Sequence, residues 1–336
     1  MIREAIAKLV RCEDLSKNEM ELAMEEIMTG QASPAQIAAF LTAMRIKGET
    51  IDEITGAAEI MRRHAVKIKT RHPVVLDTCG TGGDECQTFN VSTITAFVVA
   101  GAGVIVAKHG NRSVSSNCGS ADLLKALGIN IDAEEQTVSK CIDEAGIGFL
   151  FAPKMHKAMQ YAIGPRKEIG IRTIFNILGP MTNPAGATNQ LLGVYDGELT
   201  EPIAKVLGRL GSKHALVVHG KDGLDEVTTT DKTQISELKG GKVRTYEISP
   251  RDFGIKKAKA GDLKGGEPAE NAKIAMDILS GEKGPKYDIV VLNAGCAIYA
   301  ADKASDIKEG IQMAEESIES GMALEKLQAL KEAASS

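Results

Sequence analysis

Residues 77–93 read DTCGTGGDECQTFNVST and follow the apolar run Val74–Leu76, which predicts a buried strand that ends in a glycine-rich turn. Glycine has no β-carbon, so we expect the backbone there to bend through positive φ and to bring its N–H groups close to an anion. The glycines concerned are Gly80, Gly82 and Gly83. Asn90 then begins a predicted helix, whose first N–H groups and positive dipole end favour the same negative charge. A strand, a turn and a helix in this order predict a phosphate pocket.

A second stretch carries similar chemistry. Residues 108–128 read KHGNRSVSSNCGSADLLKALG and follow another apolar run, Val104–Val106. Cations, an amide and small hydroxyls therefore come directly after a predicted strand, whereas a solvated basic loop normally carries longer charged side chains and fewer glycines. A glycine-rich turn alone is equally typical of a simple tight turn, but two such stretches at strand ends favour an anion-binding pocket. The chain is predicted to act on a phosphorylated small molecule.

From residue 73 onward, short β-branched runs alternate with helical stretches. This alternation predicts a largely parallel sheet with helices on both faces and ligands at its carboxyl edge. The strand candidates are Val74–Leu76, Val104–Ala107, Gly148–Phe151, Leu191–Tyr195, Ala215–His219 and Ile289–Asn293. The helix candidates between the early strands are Ile94–Ala102, Asp122–Leu127 and Glu134–Ala145. Gly240–Gly241 predicts a peripheral hairpin turn between Ile235–Leu238 and Val243–Ile248.

The first 65 residues are predicted to form a small helical bundle. Ser16, Ser33 and Thr50 are each followed three residues later by a Glu or Gln that can return the capping hydrogen bond. Apolar residues within 20–27 and 37–44 recur at the spacing of one buried helix face. The predicted fold class is α/β, with a small all-helical N-terminal domain and a large α/β domain whose mostly parallel central sheet is flanked by helices.

Composition restricts the function classes. The chain has 336 residues, enough for about two domains, and its formal net charge of −5 argues against a general affinity for nucleic acid. Its six cysteines show no C-x-x-C pair and no zinc spacing, so we expect reduced thiols. The N-terminus lacks the apolar core of a signal peptide, and no apolar stretch approaches the ~20 residues that span a bilayer. We expect a cytoplasmic enzyme without a membrane partner.

Several motifs together resemble one enzyme family. The strings GTGGD and KHGNRS..SN.GSADLL.ALG, then Gly164–Arg166, FNILGPMTNPA at 175–185, QLLGVY at 190–195 and DGLDEVT at 222–228 are similar to those of the anthranilate phosphoribosyltransferases, in the family's order and over essentially the whole chain. The resemblance implies a glycosyltransferase of tryptophan biosynthesis. Its substrates would be phosphoribosyl pyrophosphate and anthranilate, and its cofactor would be Mg²⁺.

The resemblance also implies roles for individual residues. The implied donor-binding residues are Gly80, Gly83, Asp84, Thr88, Asn90, Val91, Ser92, Thr93, Lys108, His109, Gly110, Asn111, Arg112, Ser113, Ser115, Ser116 and Ser120. The implied acceptor-binding residues are Gly80, Asn111 and Arg166, and the implied metal ligands are Ser92, Asp225 and Glu226. Adjacent carboxylates are otherwise typical of a solvated turn, but oxygen ligands suit Mg²⁺. No residue is assigned as a catalytic acid or base, because pyrophosphate is a good leaving group once its charge is neutralised.

The family also implies a domain organisation and partners. Residues 1–70, completed by part of 165–190, would form the helical domain on the acceptor side, and residues 73–165 and 190–336 would form the donor-binding α/β domain. Hinges are expected near residue 70 and within 165–190. The helical domain is expected to form a homodimer, and whether a glutamine amidotransferase subunit of anthranilate synthase docks as a partner stays open.

Two other function classes remain alternatives. Pyrimidine nucleoside phosphorylases share the fold. The resemblance to them does not include DTCGTGGD or the DGLDEVT carboxylates, and both motifs are intact in this chain. A non-enzymatic paralogue that binds nucleic acid would be expected to lose motif residues and to gain basic surface. Neither change is visible in this sequence.

Overall fold

The computed structural model describes residues 1–83, 86–112 and 117–335. The chain begins with a helical bundle. Its helices are α1 (Ile2–Leu9), α2 (Lys17–Met28), α3 (Pro34–Lys47) and α4 (Ile51–His64). Ser16, Ser33 and Thr50 cap α2, α3 and α4, and each forms the predicted reciprocal pair with the side chain three residues later. These three caps confirm the helix starts, because each depends only on residues close in sequence.

A mixed sheet follows the bundle. Its strands are β1 (Leu76–Gly80), β2 (Val106–Gly110), β3 (Ile147–Phe151), β4 (Asn189–Gly193), β5 (His214–Gly220), β6 (Thr233–Lys239) and β7 (Lys242–Ile248). The strand order is β3-β2-β1-β4-β5-β6-β7, and the first five strands in this order are parallel. Strands β6 and β7 form the predicted antiparallel hairpin at the edge, and Gly240 and Gly241 both have positive φ in its two-residue turn. The predicted α/β fold class is confirmed.

Helices cover both faces of this sheet. They are α5 (Val91–Gly101), α6 (Ser120–Ala126), α7 (Glu135–Lys140), α8 (Ala152–Met155), α9 (Gln160–Ile169), α10 (Phe175–Leu178), α11 (Thr200–Arg209), α12 (Pro268–Leu279), α13 (Pro285–Ala300), α14 (Ile307–Glu319) and α15 (Met322–Ala334). A π-helical turn at Cys141–Ala145 continues α7. Among the described residues, no helix combines the length and apolar character needed to cross a membrane.

Apolar cores cover both faces of the sheet. On one face, Leu191 and Leu216 pack with α5 and α13. On the other, Leu192 and Val217 pack with α11, and this core continues through Ala162 of α9 into the N-terminal bundle. Successive strand residues alternate between the two faces, as the period of a strand requires.

The strand order changes direction between β1 and β4. The chain runs from β1 outward to β2 and β3, and then returns to the other side of β1 to form β4. In such a sheet the crevice at the carboxyl ends of the strands on either side of the switch is where ligands bind. Here those ends are Gly80 and Gly193, which are paired in register.

Some predicted strands are wrong or displaced. Ile289–Asn293, predicted as a strand, lies inside α13 and is buried on all sides. Its β-branched run is too short for periodicity to distinguish a buried strand from a buried helix. The predicted Val74–Leu76 shares only Leu76 with β1, and the predicted Leu191–Tyr195 corresponds to β4 at Asn189–Gly193. Strand β2 also begins later than predicted, so Lys108 to Gly110 belong to the strand and do not follow it.

Candidate functional site

The glycine-rich loop after β1 lies against the loop after β5. The amide of Gly82 donates a 2.7 Å hydrogen bond to Oδ2 of Asp225. A β-carbon at Gly80 would lie 2.4 Å from the same carboxylate oxygen, and one at Gly193 would lie 1.6 Å from the Asp225 carbonyl oxygen. Gly82 and Gly83 have the expected positive φ, but Gly80 does not, so the prediction is wrong for Gly80. Position 80 requires glycine because the carboxylate approaches so closely.

The start of α5 meets the second carboxylate. The backbone amide of Ser92, in the first turn of the helix, donates to Oε1 of Glu226 at 3.1 Å. The ammonium of Lys108 donates to Oγ of Ser92 at 3.2 Å and also to the carbonyl of Thr78. The structure therefore brings Ser92, Lys108 and Glu226 together at the carboxyl edge of the sheet, beside Asp225.

Lys108 is held in a buried polar network. It is only 3% exposed, and burial lowers the pKa of its ammonium despite the attraction of Asp77. Burial raises the pKa of the Asp77 carboxyl to about 6, against the opposing effects of Lys108 and Asn183. Asp77 accepts hydrogen bonds from the amide of His109 at 3.0 Å and from the side chain of Asn183 at 2.7 Å. These bonds fix β1 against β2 at the depth of Lys108.

The segment that leads into α5 is fastened by a distant loop. Thr88 forms a β-bridge with Lys264, and the amide of Phe89 donates to the carbonyl of Leu263 at 3.3 Å. The side chain of Asn90 donates to the carbonyl of Cys118 and accepts from Asn271, at 2.9 and 3.0 Å. The predicted donor residue Asn90 therefore connects both glycine-rich stretches.

The second stretch is also tied to α5. Oγ1 of Thr93 donates to Oγ of Ser120 at 3.0 Å. Gly110 packs so closely that a β-carbon there would lie 2.8 Å from the Phe149 ring. Asn111 and Arg112 are exposed, and Arg112 pairs with Asp122 at 3.0 Å. The Arg112 guanidinium is therefore already paired with the Asp122 carboxylate.

Arg166, the predicted acceptor contact, lies in the last turn of α9. Its guanidinium carbon is 5.3 Å from the centre of the buried Phe175 ring. Burial lowers the pKa of the Arg166 guanidinium, which nevertheless stays charged at neutral pH. A half-buried guanidinium held on an aromatic face can still donate hydrogen bonds to a carboxylate.

Two predicted donor-binding residues have side chains that point away from the cluster of Ser92, Lys108 and Glu226. The Val91 side chain is buried in the core, and its amide donates to the carbonyl of Phe89. The His109 ring lies 5.1 Å from the His156 ring, on the opposite side of β2 from Lys108. The side chains of these two residues do not face Ser92. The predicted residues Asp84, Ser113, Ser115 and Ser116 lie outside the described residues.

Sequence reasoning missed several residues that shape this site. They are Asp77, Arg172, Asn183, Gly193 and Asn271. Asp77, Asn183 and Gly193 stand inside the motif strings, where a buried polar residue or an isolated strand glycine was the available signal. Asn271 lies outside all of these strings, and its contacts depend on chain segments far away in sequence.

Comparison with known proteins agrees with this geometry. The sequence model described as "Glycosyl transferase family, helical bundle domain" matches residues 3–65, and the one described as "Glycosyl transferase family, a/b domain" matches residues 72–324. The anthranilate phosphoribosyltransferase of Moorella thermoacetica is 58% identical over 330 residues, which cover 98% of this chain and 97% of the relative. This chain belongs to the anthranilate phosphoribosyltransferase family.

Solved members of the anthranilate phosphoribosyltransferase family share the fold throughout. The enzyme from Thermus thermophilus superposes with a TM-score of 0.94 at 42% identity and covers 99% of both chains. The enzyme from Saccharomyces cerevisiae in complex with PRPP and Mg superposes with a TM-score of 0.92 at 32% identity, covering 99% of this chain and 98% of that one. The predicted resemblance is confirmed.

Proposed function

We propose that this protein is an anthranilate phosphoribosyltransferase, which transfers 5-phosphoribosyl from phosphoribosyl pyrophosphate to the amine of anthranilate. The products are N-(5-phosphoribosyl)anthranilate and pyrophosphate, the second step of tryptophan synthesis from chorismate. The main support is the 58% identity to a named family member along almost the whole chain. The cluster of Ser92, Lys108 and Glu226 beside the glycine-rich loop gives this identity a physical basis.

The donor set at the sheet edge suits magnesium. Two carboxylates, Asp225 and Glu226, and the hydroxyl of Ser92 supply hard oxygen ligands, and Mg²⁺ typically combines one or two carboxylates with substrate phosphates. The glycines at 80 and 193 leave the space in which the Asp225 loop approaches β1 and β4. We propose that these three residues hold Mg²⁺, which when bound neutralises charge that develops on the departing pyrophosphate.

The remaining chemistry is assigned to positioning and charge. Lys108 is aimed at the pocket by the Thr78 carbonyl and Ser92, so its ammonium is preorganised to face the donor's phosphates. The first turn of α5 adds its dipole to the same site. Arg166 binds the anthranilate carboxylate, and Gly80 and Asn111 shape the acceptor pocket. As pyrophosphate leaves, the ribosyl carbon becomes electron-deficient and the held amine attacks it.

The domain roles are part of the proposal. Residues 1–70 with part of 165–190 form the acceptor-side domain, the remainder binds the donor, and the two close by hinges near residue 70 and within 165–190. We propose a cytoplasmic homodimer that associates through the helical bundle. Two large apolar side chains of the bundle are exposed, Val10 at 66% and Ile46 at 76%, and the dimer would cover them. Sedimentation at two protein concentrations tests it, and a monomer at both would contradict it.

A direct assay tests the activity. Purified protein is mixed with anthranilate, phosphoribosyl pyrophosphate and Mg²⁺, and the loss of anthranilate fluorescence is followed against a control without donor. No loss beyond the control would reject the proposal. Parallel reactions with a pyrimidine nucleoside and phosphate, and a DNA shift assay at low salt, cover the two alternative classes, and both are expected to be negative.

A further inference from the structure

Arg172 lies in the short connection between α9 and α10 and contacts two other parts of the molecule. Its guanidinium donates a hydrogen bond to the carbonyl of Gly83. Its guanidinium carbon also lies 4.5 Å from the centre of the Tyr195 ring. A planar guanidinium can donate at its edge and stack on its face at the same time. Arg172 therefore connects a segment near the acceptor contact with the glycine-rich loop.

Gly83 and Tyr195, which Arg172 contacts, belong to one hydrogen-bonded unit. The amide of Tyr195 donates to Oγ1 of Thr81 at 3.1 Å, and the amide of Thr81 donates to the carbonyl of Gly193 at 2.9 Å. The next loop residue, Gly82, donates to Asp225. Moving Gly83 therefore disturbs a loop that also orients one of the proposed metal ligands.

The other end of the connection carries the proposed acceptor contact. Arg166 lies six residues before Arg172 and stacks on Phe175, three residues after it. Gly170 ends α9 in a left-handed conformation, φ +65°, and its amide donates to the carbonyl of Arg166 at 3.2 Å. Residues 166–175 are thus held by two cation–π contacts, one of which reaches back to the donor side.

We infer that Arg172 is a positioning residue that couples the donor loop to the acceptor segment. This inference rests on the proposed function. Donor bound at residues 80–83 would fix the Gly83 carbonyl and Tyr195, and through Arg172 it would hold Arg166 in place for the acceptor. Coupling of this kind is reciprocal, so each ligand must change the affinity of the other by the same factor.

Binding and kinetics test the coupling with Arg172→Met, Arg172→Lys and, as a matched control, Arg251→Met, which alters an exposed arginine of the large domain. The affinity for anthranilate is measured with and without magnesium pyrophosphate. In the unaltered protein pyrophosphate should tighten anthranilate binding several-fold, and in Arg172→Met this factor should fall towards one. Because a charge-assisted hydrogen bond is lost, kcat should fall by about 10-fold or more. Lysine should restore only part of kcat, since it donates but does not stack as a plane.

Hydrogen exchange provides a readout that needs no turnover. In Arg172→Met without ligands, amides in residues 76–83 and 166–174 should both exchange faster, while those of α2 and α3 should not change. Unaltered exchange in either segment, or a pyrophosphate effect on anthranilate binding that is the same in Arg172→Met, would overturn the inference. An unaltered protein without transferase activity would instead reject the proposed function, and the exchange experiment would still decide the role of Arg172.

Discussion

A β-carbon at Gly193 would lie 1.6 Å from the carbonyl oxygen of Asp225. The last residue of β4 and the loop after β5 are therefore in contact through their backbones, with no room for a side chain between them. Asp225 and Glu226 owe their position to this close approach, because the loop rests directly on the end of the strand. The end of β4 therefore fixes the position of the loop that carries Asp225 and Glu226.

Gly193→Ala should therefore disturb both stability and metal-dependent activity. The new methyl group forces the strand and the loop apart, so the free energy of unfolding should fall by about 1–3 kcal/mol. Activity at subsaturating Mg²⁺ should fall further than activity at saturation, because Asp225 moves. Urea unfolding and a magnesium titration measure the two effects. Gly261→Ala is the control, since nothing lies within 4 Å of a β-carbon there, and an equally small effect of both changes would contradict the expectation.

The two carboxylates can be tested separately from the fold. Asp225→Asn and Glu226→Gln retain an oxygen that can accept the hydrogen bonds from Gly82 and Ser92, but each removes a negative charge. Each should raise the half-saturating Mg²⁺ concentration by about 10-fold, the factor that corresponds to roughly 1.4 kcal/mol. Activity is titrated with Mg²⁺ after metal removal by a chelator. Asp231→Asn is the matched control. A magnesium titration curve that is unchanged in both site variants would show that Asp225 and Glu226 do not bind the metal.

Arg166→Ala should separate the acceptor from the donor. A charge-assisted hydrogen bond contributes roughly 1.5–3 kcal/mol, so kcat/KM for anthranilate should fall by about 10- to 150-fold. The affinity for phosphoribosyl pyrophosphate in the absence of anthranilate should hardly change, because Arg166 contacts Phe175 and not the glycine-rich loop. Steady-state kinetics with anthranilate varied and direct binding of phosphoribosyl pyrophosphate alone provide the two measurements. Lys167→Ala, the exposed neighbour on α9, is the control, and equal weakening towards both substrates would show that the assignment is wrong.

The elements that could be predicted from the sequence are those defined by nearby residues. The caps at Ser16, Ser33 and Thr50 and the Gly240–Gly241 turn each involve only a few consecutive residues, and all four are found as expected. The apolar run Ile289–Asn293 fits a buried strand and a buried helix equally well. Only its packing against both the sheet and other helices shows that it belongs to α13.

The candidate site also combines features that nearby residues define with contacts that only the folded chain creates. The glycine-rich stretches predict a phosphate pocket from the sequence, because the backbone chemistry that binds phosphate requires those residue types close together in the chain. The contacts that orient them join residues far apart, such as Asp77 with Asn183 and Arg172 with Gly83. No local pattern in the sequence shows which distant residue each of these residues contacts, so their roles became visible only once the chain was folded.

The buried histidines predict how stability depends on pH. His156 is 5% exposed, and neither of its ring nitrogens has a hydrogen-bond partner among the described residues. Burial, followed by the charge of Lys67, lowers its pKa from 6.5 to about 4. Burial, followed by His156, likewise lowers the pKa of the adjacent His109 to about 3. Both rings are therefore neutral in the folded protein over a range where the unfolded chain takes up protons.

Since the unfolded state binds more protons below pH 6.5, the stabilising contribution is complete above that pH and is lost as the pH falls towards about 4 for His156. Between pH 7 and pH 5, His156 alone should lower the free energy of unfolding by about 2 kcal/mol. His156→Leu should reduce the pH dependence by this amount but leave the part that comes from His109. Urea unfolding at both pH values measures it. If His156→Leu lost stability between pH 7 and pH 5 as steeply as the unaltered protein, His156 would have to be protonated or hydrogen-bonded in the folded state.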